Sequence, residues 1–165
     1  MKKWMLIVFV ASLLCGCGAQ TTFETVDDTD IVSAAAQNRR IQLDLPPEAA
    51  TPTMETVEGA ALYQCDGYEL TLQTLPGGDL NRTLRQVTGH DQSSLRPIKT
   101  KAGVAVRYDM AWAAAGETGD RVARCVLLDD GQNHYTVTVM ADAARAGDLT
   151  ETWKKLLGSI TLHTG

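Results

Sequence analysis

Histidine and basic charge are both scarce here, and several chemical motifs are missing. The three histidines, His90, His134 and His163, stand so far apart that none has a partner two to four positions away. That spacing removes the usual zinc motifs. Lys and Arg number 15 against 20 Asp and Glu, for a net charge of −5. An acidic surface of this kind disfavours nucleic acid and anionic lipid as partners. No apolar run reaches the roughly 20 residues of a membrane-spanning helix, because small and polar residues take over after Leu14. Neither a Gly-x-x-x-x-Gly-Lys phosphate loop nor a Gly-x-Ser-x-Gly elbow nor an Asp-x-Asp-x-Asp-Gly calcium loop occurs. Pro76-Gly77-Gly78-Asp79 reads instead as a turn into a helix.

Some ingredients of chemistry remain. His90-Asp91 lies beside Ser93 and Ser94, but neighbouring residues of one loop rarely converge on a substrate, and a polar loop after a helix explains them. Asp27-Asp28-Thr29-Asp30 and Asp129-Asp130 could attract cations weakly, yet a solvated tether and a hairpin turn account for both. Trp112, Trp153, Tyr63 and Tyr108 fall at core-facing periods and read as packing. Arg107 and Asp109, on the other face of their strand from Trp112, read as a surface pair or as contacts to a covering helix. No catalytic, metal or cofactor residue is therefore assigned, and the chain is expected not to be an enzyme.

What is present begins at the N-terminus. Lys2 and Lys3 precede a mostly apolar stretch over residues 4–14, the form of a secretory signal. Leu14-Cys15-Gly16-Cys17 then resembles a bacterial lipobox. The resemblance implies that residues 1–16 are removed and that Cys17 carries a diacylglyceryl thioether at the new N-terminus. Cys15 leaves with the signal, since Leu14 would occupy the position that wants a small side chain. Loss of Lys2 and Lys3 moves the net charge from −5 to −7. The expected location is the cell envelope, lipid-anchored on the extracytoplasmic side of the membrane. Residues 17–39 carry few large apolar side chains and read as a lipidated tether.

Two cysteines remain, Cys65 and Cys125. Outside the cytoplasm an even count reads as one disulfide, with two buried free thiols as the alternative.

Residues 40–165 form the expected globular domain. Ile41, Leu43 and Leu45 alternate with polar residues and end at Pro46-Pro47. "ALYQCDGYELTLQTL" breaks at the hairpin dipeptide Asp66-Gly67, after which Tyr68, Leu70 and Leu72 share a face. Val104, Val106, Tyr108, Met110 and Trp112 share a face of the next strand. Strands follow at 121–128 and through "HYTVTVMA", joined by Asp129-Asp130-Gly131. Asp79 can cap a helix that Gly89 ends. Asp148 and Glu151 have capping-box spacing ahead of a helix with Leu149, Trp153, Leu156 and Leu157 on one side. Ser159-Ile160-Thr161-Leu162 is expected to return to the sheet. These elements predict an α+β domain, an antiparallel sheet of about six to seven strands covered by helices.

Their order, with a terminal "YTVTVMADAARAGDLTETWKKLLGSITL", resembles the sandwich fold of PsbP and the Ran-binding nuclear-transport proteins. The resemblance covers roughly 40–162 and implies a binding or assembly role with no common catalytic set. The expected function is that of a non-enzymatic accessory or assembly factor contacting an envelope protein partner. A small-ligand-binding lipoprotein with a pocket between sheet and helices is the alternative, and a hydrolase comes third.

Overall fold

The computed structural model describes residues 41–49, 51–56, 59–116 and 119–163. Among them are nine strands and three α-helices. The strands are β1 (Ile41–Gln42), β2 (Met54–Glu55), β3 (Ala60–Cys65), β4 (Tyr68–Pro76), β5 (Ile98–Ala102), β6 (Ala105–Gly116), β7 (Gly119–Asp129), β8 (Asn133–Asp142) and β9 (Thr161–Leu162). The helices are α1 (Leu80–Thr88), α2 (Gln92–Leu95) and α3 (Thr150–Gly158). Seven strands make one antiparallel sheet in the order β2-β3-β4-β8-β7-β6-β5, and β1 pairs with β9 in a separate two-stranded sheet. The expected α+β architecture of a sheet covered by helices is the one observed.

Period-two patterning sets the two faces of the large sheet. Ala61, Tyr63 and Cys65 of β3 lie on one face with Tyr68, Leu70 and Leu72 of β4 and Val137, Val139 and Ala141 of β8. Helix α3 closes this face with Trp153, Leu156 and Leu157. On the opposite face Tyr108, Met110, Cys125 and Leu127 pack under Leu84 of α1. The Asp79 carboxylate accepts the Arg82 backbone N–H at 3.1 Å, and Gly89 ends α1 in the left-handed region at φ 76°. A side chain there would clash with its own backbone, so glycine suits the cap.

Several expectations are corrected. Only Ile41 and Gln42 of the first alternating run pair as strand, with Leu162 and Thr161; Pro47–Ala49 is a 3-10 turn. The final segment accordingly joins β1 and not the large sheet. Strand β5 lies where no strand was expected. Its residues are mostly exposed, so it carries no apolar alternation to reveal it. Gly103 and Val104 form the β5–β6 turn, which leaves Val104 70% exposed and off the face it was expected to share. The Asp148–Glu151 capping box does not form. Helix α3 starts at Thr150, and its cap position, Leu149, supplies no side-chain bond.

The expected Cys65–Cys125 disulfide is also corrected: both thiols are free and buried. Cys65 belongs to the core under α3 and Cys125 to the core under α1, on opposite faces of the sheet. Strands β4 and β8 stand between β3 and β7. Three strand spacings are roughly 14 Å, twice what a disulfide can bridge.

Candidate binding cleft and sheet edge

Strand β6 is longer than its outer neighbour, and this mismatch creates the two features of interest. Pairing of β5 with β6 ends where Ile98 meets Asp109. Pro97 then breaks the strand, and Arg96 turns the chain away in the left-handed region at φ 48°. Such a conformation costs a non-glycine residue roughly 1–2 kcal/mol. Residues 110–116 of β6 pair with β7 on one side, and among the described residues no strand pairs with their other side. Side chains on this stretch are Met110, Ala111, Trp112, Ala113, Ala114 and Ala115, ending in Gly116. None is charged and none is proline. The neighbouring edge, β5, carries Lys99 and Lys101.

A cleft of about 590 Å³ lies between the start of this edge and α3. Leu157 and Lys154 of α3 form one wall, Leu95, Arg96 and Ile98 the other, and Ala111 lies at the floor. Ile98 is 67% exposed, too open for a core residue. Four cations, Arg96, Arg107, Arg124 and Lys154, line the cleft against one carboxylate, Asp109.

These cations differ in their ties. Arg107 forks onto Asp109, with Nε 2.8 Å and one terminal nitrogen 2.7 Å from the two carboxylate oxygens. The same terminal nitrogen donates to the Leu157 carbonyl at the C-terminal end of α3, at 3.1 Å. The pair and the helix contact expected from the sequence are thus both present, and together they tie α3 to β6. Arg124 sits over the Trp153 ring, 5.9 Å from its centroid, and among the described residues it has no hydrogen-bond acceptor. Lys154 makes a loose, exposed contact with Glu151 at 3.7 Å. Arg124, opposite Ala111 in the ladder, lines the cleft and also an adjoining concavity of about 420 Å³ that includes Trp153, so its guanidinium lies at the boundary of the two.

The other large charged concavity is balanced in sign. A second concavity of about 620 Å³ includes Glu69, Arg121 and Asp142. There Arg121 lies 3.1 Å from Glu69 and 4.0 Å from Asp142, and Arg145 balances the second carboxylate in the lining, so the charges cancel and leave no cationic excess.

His90, Asp91, Ser93 and Ser94 lie in the polar segment after α1, where the sequence put them, and do not converge. His90 and Asp91 do not pair; Asp91 instead holds Arg85 at 3.1 Å. Ser93 and Ser94 lie in the short helix α2. A constellation that sequence spacing did not reveal is Thr83–His134–Asp129. The Thr83 hydroxyl is 2.7 Å from His134 Nδ1, and His134 Nε2 is 3.7 Å from Asp129. His134 is 1% exposed beneath α1 and Thr83 is also buried, so their bond fastens α1 to β8 away from solvent, while Asp129 stays partly exposed at the strand end. Its sequence signal was only a histidine at a core-facing strand position. The Asp129-Asp130-Gly131 turn forms as expected, with Asp130 accepting the Gln132 and Asn133 backbone N–H groups. Among the described residues, no three His, Cys, Asp or Glu side chains are grouped to hold a metal ion. No described helix is long and apolar enough to cross a membrane. Cys17, the signal and the tether lie outside the described residues.

No family model and no curated relative matches the sequence. Solved structures share the fold. A Bacteroides thetaiotaomicron structure superposes with a TM-score of 0.53 at 10% identity over 77% of this chain, which spans 46% of that longer protein. PA94 of Pseudomonas aeruginosa, a protein of unknown function, gives 0.53 at 12% identity over 76% of this chain and 99% of its own. LpqN of Mycobacterium tuberculosis, involved in cell envelope biogenesis, gives 0.49 at 10% identity over 75% of this chain and 83% of its own. At these identities the first two likenesses speak to the fold alone.

Proposed function

We propose that this chain is a non-enzymatic, lipid-anchored extracytoplasmic module that acts by contact with an envelope protein, as an accessory or assembly factor. The free β6 edge over residues 110–116 carries this reading. Proteins ordinarily blunt an open edge with lysine, proline or a bulge, because unpaired N–H and C=O groups recruit another strand. This chain does so on β5 with Lys99 and Lys101 and omits it on the alanine-rich extension of β6. Small side chains let a second backbone approach, so an extended segment of a partner can add as a strand, with main-chain hydrogen bonds supplying the affinity.

The lipid and tether place that edge. A diacylglyceryl group at Cys17 brings two chains, the number that stable anchoring requires. The domain's acidic charge contributes no membrane attraction of its own, so the anchor is the lipid. Cys17→Ala is expected to abolish lipid labelling and to release the protein from membranes on fractionation. Unchanged labelling would remove the anchor from this proposal.

The edge is tested with a photo-crosslinking residue at Ala113, in the lipidated protein on native membranes. A single stoichiometric envelope partner, lost on proline substitution, is the expected result. Ala113→Pro and Ala114→Pro are compared because alternate amides point outward and inward. The variant with the outward amide keeps the fold and loses the partner. Crosslinks only to a second copy of the chain, or to nothing, would overturn the accessory reading. The alternative of a small-ligand-binding lipoprotein is favoured by a separate observation, the cationic cleft.

A further inference from the structure

We infer that the cleft between α3 and the β5–β6 side of the sheet is a binding site for a small organic anion, a carboxylate or phosphate on a compact apolar body. This goes beyond the protein-contact reading and does not depend on the free β6 edge.

Charge complementarity points to an anion. Four cations meet one carboxylate in the lining of this cleft, on a chain whose net charge is −5. Asp109 is already matched by the Arg107 fork, which leaves Arg96, Arg124 and Lys154 in excess. Two of these residues are placed by the fold, Arg124 through its side chain and Arg96 through its backbone. Arg124 is steadied by the Trp153 ring beneath it and has no acceptor among the described residues. Arg96 is carried at the opposite rim by the left-handed turn that ends α2, the single positive φ at a non-glycine residue among those described. Strained backbone held in place at the rim of a cleft is a recurrent feature of ligand clamps. A guanidinium on each side offers planar, paired donors suited to a carboxylate or phosphate.

Apolar surface points to the rest of the ligand. Leu95, Leu157 and the largely exposed Ile98 wall the cleft, and Ala111 leaves its floor open. At about 590 Å³ the volume lies within the range of small-molecule sites. A free inorganic anion would leave these side chains in water; an anion with an apolar body covers them. The pinning of α3 by Arg107 through the Leu157 carbonyl keeps the wall in place before any ligand arrives.

The test uses the mature lipidated chain, residues 17–165, in phosphatidylcholine nanodiscs, with empty discs as background. Binding of 2-naphthoate, 2-naphthyl phosphate, neutral 2-naphthalenemethanol and inorganic phosphate is measured by calorimetry and equilibrium dialysis. One or both naphthyl anions should bind at least tenfold more tightly than the neutral alcohol and than inorganic phosphate. The tighter of the two identifies the preferred head group. Arg124→Ala should weaken the anions tenfold or more, Arg124→Lys should restore part of the loss, and the distant Arg82→Ala should change nothing. Both side chains, Arg124 and Arg82, are exposed, and circular dichroism checks that each variant is folded. Equal binding of the alcohol, or unchanged anion binding in Arg124→Ala, would overturn the assignment. Because the β6 edge is intact in every variant, retained crosslinking with lost anion binding separates this site from the proposed partner contact.

Discussion

Replacement of Trp153 by alanine is expected to lower unfolding free energy by about 3–5 kcal/mol, read as a shifted midpoint in urea unfolding followed by circular dichroism. Trp153 is 1% exposed, the largest of the fully buried side chains, and meets Tyr68 edge-on with ring centroids 6.2 Å apart. It is also the link between α3 and the sheet. A helix spanning Thr150–Gly158 is too short to hold itself together in water, so its stability comes from the face it buries. Losing the indole opens a cavity and removes the largest of the three side chains that the helix buries. A domain of this size has about 5–15 kcal/mol in total, so the variant should be barely folded at 37 °C. Trp153→Phe separates packing from polarity. The indole N–H has no hydrogen-bond partner within the structure, so phenylalanine gives up volume without breaking a bond and should cost far less than alanine. A loss below 1 kcal/mol in Trp153→Ala would mean that α3 is not held by this residue.

What the sequence made legible is what period and turn chemistry encode. The β3–β4 hairpin at Asp66-Gly67, the shared face of Tyr68, Leu70 and Leu72, and the Asp79 and Gly89 ends of α1 depend on neighbours along the chain, and each is found. Strand β5 was illegible because Ile98, Lys99, Thr100 and Lys101 serve an exposed edge, where no buried face imposes alternation. Features that join distant residues were hidden for another reason. Asp148 and Glu151 have the right spacing for a capping box, yet the chain enters α3 one residue later, with Leu149, buried in the core, at the cap position. The parity of two cysteines says nothing about which face each occupies, and here the sheet itself separates them. The candidate site behaves likewise. Arg107 and Asp109 could be paired from their i, i+2 spacing. The approach of Arg96, Arg124 and Lys154 depends on where β5 stops and where α3 lies.

The free thiols carry the second large expectation: stability should fall steeply above pH 9, by about 4 kcal/mol on reaching pH 12 from Cys125 alone. Burial pushes the Cys125 thiol from 9.0 up to about 12, against smaller opposing effects from Thr138 and the Val137 backbone. Three units of pKa correspond to roughly 4 kcal/mol. The sign follows from proton binding. Below pH 9 the thiol is protonated in both states and contributes no pH dependence. Above pH 9 the unfolded chain releases its proton while the native chain keeps it, so alkali favours unfolding until the native thiol also ionises near pH 12. Cys65, Tyr63 and Tyr68 are all raised by burial as well and act in the same direction. Urea unfolding across pH 8–11 measures the slope. Cys125→Ser removes the titrating thiol and should flatten it, whatever the variant's stability at neutral pH. At pH 8 neither native thiol should react with a disulfide reagent, since reaction needs an accessible thiolate and both side chains are buried. In denaturant both should react without prior reduction. If reduction is needed first, the two cysteines are bridged and the two-core arrangement of the sheet is wrong. If they react freely while the alkaline slope is the same in wild type and Cys125→Ser, the thiol is not buried as the fold requires.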